Sequence, residues 1–118
     1  MSRCGLLYDP VFLDHHTGHG HPECPDRVSL AYQAIEKAGL VEKSVFLKPQ
    51  TCQAEALERV HSKSYLSQAE KDIKQGASQL STGDTSISKD SWEVAQQATG
   101  GILGALDQIM SGSIDRAF

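Results

Sequence analysis

The apolar positions of this chain switch between two periods. Residues 4–8, Cys4-Gly5-Leu6-Leu7-Tyr8, form a short apolar run closed by Asp9-Pro10, the pattern of a strand covered on both faces. A helix is predicted to open at Pro25-Asp26. Proline suits the first turn, where its missing N–H has no intrahelical partner, and Asp26 complements the helix dipole. Val28, Ala31, Tyr32, Ile35 and Ala38 then recur at helical spacing, and Gly39 is placed to end the helix. Val45-Phe46-Leu47 predicts a second strand ahead of Pro49. Residues 54–60 predict a short helix, and residues 64–75 another with Leu66, Ala69 and Ile73 on one face. Residues 75–83 read as a polar loop. A last helix is expected over residues 89–111, capped by Ser88, stopped at Gly112 and striped by Ala95, Ala98, Ile102, Ala105, Leu106 and Ile109. Gly100, Gly101 and Gly104 interrupt it, each costing about 1 kcal/mol relative to Ala, so a neighbouring element is expected to approach the helix closely there. Residues 115–118 open a further strand.

Strands alternating with helical patterns predict an α/β layer fold with a parallel sheet flanked by helices. Two strands and a stub are few for such a sheet. The pattern therefore reads as part of a larger one, although 118 residues are enough for one domain.

Composition narrows the function classes. Hydrophobic residues are 39% of the chain, ordinary for a globular protein and too many for a wholly disordered one. With 11 Lys and Arg against 15 Asp and Glu the net charge is -4, which argues against nucleic acid as a partner. The longest run without a polar residue, 100–106, is far short of the roughly 20 residues of a membrane span, and residues 1–8 hold no secretory core. Cys4, Cys24 and Cys52 are odd in number and widely spaced, so reduced thiols and a cytoplasmic location are expected.

Candidate chemistry concentrates in the loop over residues 14–25. His15, His16, His19, His21, Glu23 and Cys24 lie within ten residues, two Gly and two Pro forbid regular structure, and a connection this long points to function. All six are potential zinc donors, yet they are not split into the separated pairs of a structural zinc site. Imidazoles bonded to nearby backbone are the plainer reading. Neither a nucleophile elbow, a phosphate-binding glycine loop nor a His-Glu-x-x-His helix is found. His61 reads as a packed or capping residue.

At Gly20-His21-Pro22-Glu23, followed by Pro25 and Arg27, the chain resembles the histone deacetylase superfamily, especially acetoin-utilisation proteins and acetylpolyamine amidohydrolases. Leu7-Tyr8-Asp9-Pro10 resembles the family's first strand and its exit. Val60-His61, Tyr65 and Leu66 are similar to its Val-His-x-x-x-Tyr segment. Gly83-Asp84-Thr85, then Ala95 to Gly101, resemble its approach to a long helix.

The resemblance implies part of an arginase/deacetylase-type parallel sheet, and residues 1–118 as the N-terminal part of one domain. It implies a zinc-dependent amidohydrolase acting on acetyl-lysine or a small acetylated amine. The family's tandem histidines, zinc ligands and oxyanion tyrosine lie beyond this segment. No catalytic residue or zinc ligand is therefore expected in it, and the rest of the deacetylase domain is its expected partner. His15 and His16 are not that tandem pair, because they precede the first helix. By resemblance Arg27 lies near the pocket base and Asp84 on the substrate rim, while His19, His21 and Glu23 border the tunnel entrance. The alternatives are an ion pair from Arg27 to the following sheet and a turn cap for Asp84. Two further functions stay open: a non-catalytic binding module, and metal storage by the histidine-rich loop.

Overall fold

The computed structural model describes residues 2–118. Strands β1 (Cys4–Leu7), β2 (Val45–Leu47) and β3 (Arg116–Ala117) form a parallel sheet in the order β2-β1-β3. Gly5, Leu6 and Leu7 stand opposite Val45, Phe46 and Leu47; on the other side Cys4 and Gly5 stand opposite Arg116 and Ala117. Helix α1 (Pro25–Lys37) joins β1 to β2, while α2 (Ala54–Glu58), α3 (Lys63–Lys74) and α4 (Ser91–Met110) lie between β2 and β3. Parallel crossovers are right-handed. One connection moves to one side of β1 and the other to the opposite side, so α1 and α4 fall on opposite faces of the sheet.

The α4 face is the well-packed one. Leu47, Ala105 and Ile114 are buried together, with Leu7 and Ile109 against them. This face depends on two points where α4 carries no side chain against its neighbours. A Cβ on Gly100 would lie 1.7 Å from the backbone oxygen of Gln50 and 2.8 Å from the nitrogen of Cys52. One on Gly101 would lie 2.7 Å from Leu7 Cδ2. The close approach expected from the three glycines is thus present, and Cys52 N–H donates to the Gln96 carbonyl at 3.2 Å beside it. A second core joins Ala69 and Ile73 of α3 to Leu80, Ile87 and Trp92.

Several expectations are corrected. Helix α4 begins at Ser91, with Asp90 at its N-cap and Ser88 one turn outside. Its buried face is Val94, Gly100, Gly101 and Ala105, whereas Ala95, Ile102 and Leu106 are exposed. Ala105 and Ile109 of the expected stripe do face the sheet, but the rest of the stripe pointed too far round the helix because Gly100 and Gly101 share the contact face. Residues 75–83 are not simply polar loop. Gln79 bridges Ser86 in antiparallel fashion, burying Leu80 and Ile87. On the other face α1 buries no residue of its own. Tyr32 stacks on Tyr8, ring centroids 3.8 Å apart, and Leu6 is buried, but Val28 and Leu30 stay exposed.

Substituting alanine at each α4 glycine should separate the three contacts. Gly104→Ala, facing only the yielding tip of Gln50 at 3.3 Å, should gain up to about 1 kcal/mol of helix propensity. Gly101→Ala should cost about 1–3 kcal/mol as Leu7 is displaced. Gly100→Ala meets backbone and should cost about 3 kcal/mol or more. Urea midpoints measured on the three variants check the order.

Candidate functional site

In an open α/β sheet, ligands bind beyond the carboxyl ends of the strands where the strand order reverses. Here the reversal lies at β1, with β2 on one side and β3 on the other. Beyond the carboxyl end of β1 comes a 3-10 turn, Pro10–Asp14, capped by Asp9, whose Oδ1 accepts from Val11 N–H at 2.9 Å. The histidine-rich loop follows directly. Topology alone therefore puts the loop singled out by its chemistry at the position where a site is expected.

Two cavities flank this edge. The first, about 410 Å³, is lined by Tyr8, Tyr32, Glu23, Cys24, Arg27 and Phe118, among others. It lies on the α1 face at the ends of β1 and β3. Arg27 is held there by an ion pair with Glu23, one helical turn back, and both side chains are largely exposed. The pair is local, so the alternative in which Arg27 ties α1 to the sheet is not what forms. His21 Nδ1 lies 3.0 Å from the Glu23 N–H and 3.1 Å from the Glu23 carbonyl oxygen, so the ring is bound to the backbone of that residue. Thr17 Oγ1 donates to the Glu23 carbonyl. The segment from Thr17 to Arg27 is thus a self-bonded turn that aims one guanidinium at the crevice. His19 is exposed and lines neither cavity.

The second cavity, about 260 Å³, lies on the α4 face. His15, His61, Tyr65, Thr85, Ser91 and Trp92 contribute to its wall, so four separate stretches of sequence meet around it. His61 stacks on Tyr65 with centroids 5.1 Å apart, one turn of helix between them. His15 turns inward, its Nδ1 2.7 Å from Ser91 Oγ. Ser88 Oγ accepts from the His16 N–H at 3.0 Å, and Ser91 Oγ accepts from the Ser88 N–H at 2.7 Å. Two serines at the start of α4 therefore clasp the histidine-rich loop. Burial first, then the neighbouring His16 and His21, lowers the His15 pKa below the usual imidazole value of 6.5.

Asp84 is exposed near the tip of the α3–α4 connection, apart from both cavities. Among the described residues no hydrogen bond makes it a turn cap. The sequence reading missed Asp72. This buried carboxylate on α3 accepts from Ser81 N–H, Ser81 Oγ and Gln68 Nε2, each at 2.8 Å. The signal was available: an acid beside Ile73 and three residues after Ala69, on the apolar side of α3.

The zinc implied by resemblance does not fit the residues here. His15 is taken by Ser91 and His21 by the Glu23 backbone. Among the described residues no three His, Cys, Asp or Glu side chains converge to hold a metal ion. Among the same residues no helix is long and apolar enough to cross a membrane.

Residues 21–118 match the family described as the histone deacetylase domain. The chain belongs to the histone deacetylase family. It is 29% identical to histone deacetylase 5 of Arabidopsis thaliana over 128 aligned positions, covering all of this chain and 19% of that protein. Histone deacetylase 18 of the same plant is 28% identical, with 18% of it covered. An uncharacterised Synechocystis protein is 30% identical over 90% of this chain and 36% of its own length. The crystal structure of the HDA15 HD domain superposes with a TM-score of 0.88 at 20% identity, covering 99% of this chain and 34% of that one. That likeness confirms the partial deacetylase-type α/β fold. The chain spans about a fifth of the Arabidopsis relatives and about a third of the other two.

The His15 clasp carries a pH dependence whose sign follows from its lowered pKa. The unfolded chain takes up the proton first, so the stabilising contribution is complete above about pH 6.5 and is lost as pH falls through the lower folded value. Denaturation midpoints from pH 7.5 to 5 should fall more steeply for the wild type than for His15→Asn, which can still reach Ser91 but does not titrate.

Proposed function

We propose that this chain is the N-terminal segment of a zinc-dependent deacetylase acting on acetyl-lysine or acetylpolyamine-type amides, and that it is inactive when isolated. One observation supports this reading most strongly. The fold matches a deacetylase domain over nearly all of this chain, yet its own surface is that of an interior. On α4, Ile102, Leu106 and Met110 lie 58%, 49% and 85% exposed along one line, four residues apart. Together with the sheet-facing side, this line makes more than half of the circumference of α4 apolar, with Glu93, Gln96, Gln97, Asp107 and Gln108 confined to the remaining arc, a wider apolar face than one sheet contact needs. Phe118, 75% exposed at the end of β3, stands at an open sheet edge. In this reading the remainder of the deacetylase domain covers both surfaces and supplies the metal ligands and catalytic histidines.

The segment's own contribution is binding and orientation. Arg27 presents a cation at the crevice beyond β1, where a small carboxylate product would be held by its charge. Asp84 presents an acceptor at the rim, suited to the N–H groups of a substrate. His21 and Glu23 shape the turn between them, and the His15 clasp fixes the loop to α4. We place the protein in the cytoplasm, a reading its three unbridged thiols support. A non-catalytic module built on the same fold is the second reading.

Hydrolysis of a fluorogenic acetyl-lysine amide decides between them. The 118-residue chain alone should show no zinc-dependent turnover, and a protein in which a full deacetylase domain continues from it should turn over and lose activity to a chelator. In that longer protein Asp84→Asn should raise KM several-fold, on the scale of one hydrogen bond to a charged group. Turnover by the short chain would overturn the segment reading; inactivity of the longer protein would favour the binding module.

A further inference from the structure

We propose that Asp72 is a positioning residue for the substrate rim, holding in place the loop that presents Asp84. Asp72 sits near the end of α3, 5% exposed, and its carboxylate reaches out of that helix to the next segment. Both bonds to Ser81 use the same oxygen: the backbone N–H and the hydroxyl each donate to Oδ2 at 2.8 Å. Gln68 Nε2 donates to Oδ1 from one turn earlier at 2.8 Å and aligns the carboxylate. Ser81 lies three residues before Asp84.

The loop has few other restraints between its two ends. Leu80 N–H donates to the Thr85 carbonyl at 2.9 Å and Ile87 N–H to that of Ser78 at 3.0 Å, closing the base of the turn. Within the turn, Gly83 N–H reaches the Leu80 carbonyl at 3.3 Å. Ser81, Thr82, Gly83 and Asp84 are all exposed, so apolar burial does not order the tip. Asp72 is the charged group that ties it to a helix. A buried carboxylate would otherwise be costly on the apolar side of α3, and a neutral residue there could not accept the pair of bonds with the same strength.

The hydrogen bonds that make the tie, first the Ser81 backbone N–H, then its hydroxyl and Gln68, hold the Asp72 carboxyl below the usual carboxylate range. The nearby Lys71 acts in the same direction and burial against it. The tie is therefore made at neutral pH. The ordering of the loop stands on this geometry alone, whereas its effect on substrate rests on the rim reading of Asp84 given above.

Hydrogen exchange on the full chain tests the first part. In Asp72→Asn the hydrogen-bonded amides of the turn, Leu80, Ser81 and Gly83, should exchange about tenfold faster or more, while those of Leu6 and Leu7 in β1 keep their protection. Should the variant also loosen β1, Ser81→Ala removes only the hydroxyl arm and should produce the same confined change at smaller size. Unchanged exchange at Leu80, Ser81 and Gly83 in both variants overturns the inference. Kinetics of a complete deacetylase domain carrying this segment test the second part. Asp72→Asn should raise KM several-fold with a smaller fall in kcat, and should add little to Asp84→Asn in the double variant. If Asp84→Asn raises KM and Asp72→Asn does not, the positioning role is overturned. If Asp84→Asn leaves KM unchanged, the rim reading fails and the exchange result still decides whether Asp72 orders the loop.

Discussion

The structure depends on how closely α4 lies against the sheet and the strap that leaves β2. Gly100 meets the backbone at Gln50 and Cys52, and Gly101 meets Leu7. At Gly100 no side chain separates helix from strap, and at Gly101 only that of Leu7 separates helix from strand. That approach lets Ala105 and Ile109 close over Leu47 and Ile114. It also fixes the other end of the helix. Because α4 is one rigid rod of 20 residues, seating its middle on β1 sets Ser91 at the carboxyl edge of the sheet. There His15 and His16 can reach the serines. The position of a loop without regular structure is thus inherited from a contact nearly three helical turns away.

The same helix shows what the packing leaves undone. Its sheet side and its strap side are occupied, and the apolar arc continues past them through Ile102, Leu106 and Met110 into solvent. The α1 face repeats the theme more weakly, with a tyrosine stack and Leu6 in place of a full layer. Burial of apolar area is the main favourable term in folding, and here it is applied on one side of each element. Both features follow from a parallel sheet of three strands. Such a sheet needs layers on both faces and continuation at its edges, and three strands offer too little surface for either layer to seat fully.

Much of this was legible in the sequence. The runs at residues 4–8 and 45–47 and the helical spacing of Val28 to Ala38 gave strands and helix within a residue or two. Pro25 and Asp26 marked the helix start by simple backbone and dipole physics. The glycines of α4 announced a close approach because they carry a propensity cost that only packing repays. What the pattern misplaced was the orientation of α4. An apolar stripe is drawn through side chains, but the contact combines Ala105 and Ile109 with two residues that have none. Leu80 and Ile87 escaped for a related reason. Each stands alone among polar neighbours, and only the bridge from Gln79 to Ser86 turns them to the same side.

The candidate site divides in the same way. The resemblance pointed to Arg27 and Asp84, and the fold sets them apart, one in the crevice beyond β1 and the other on a tip outside both cavities. A linear motif reports residue identity and order but not which side of a sheet each residue reaches. That depends on the opposite placement of α1 and α4. Arg27 belongs to the first and Asp84 to the approach of the second. The residues that sequence reasoning undervalued, Ser88, Ser91 and Asp72, share a property that explains the omission. Their work is to hold another segment still, and a residue whose partner lies 9 to 76 positions away in the chain leaves no local pattern. In this segment Arg27 and Asp84 are exposed, and the better-buried polar groups, Asp72 and Ser91, tie one stretch of chain to another.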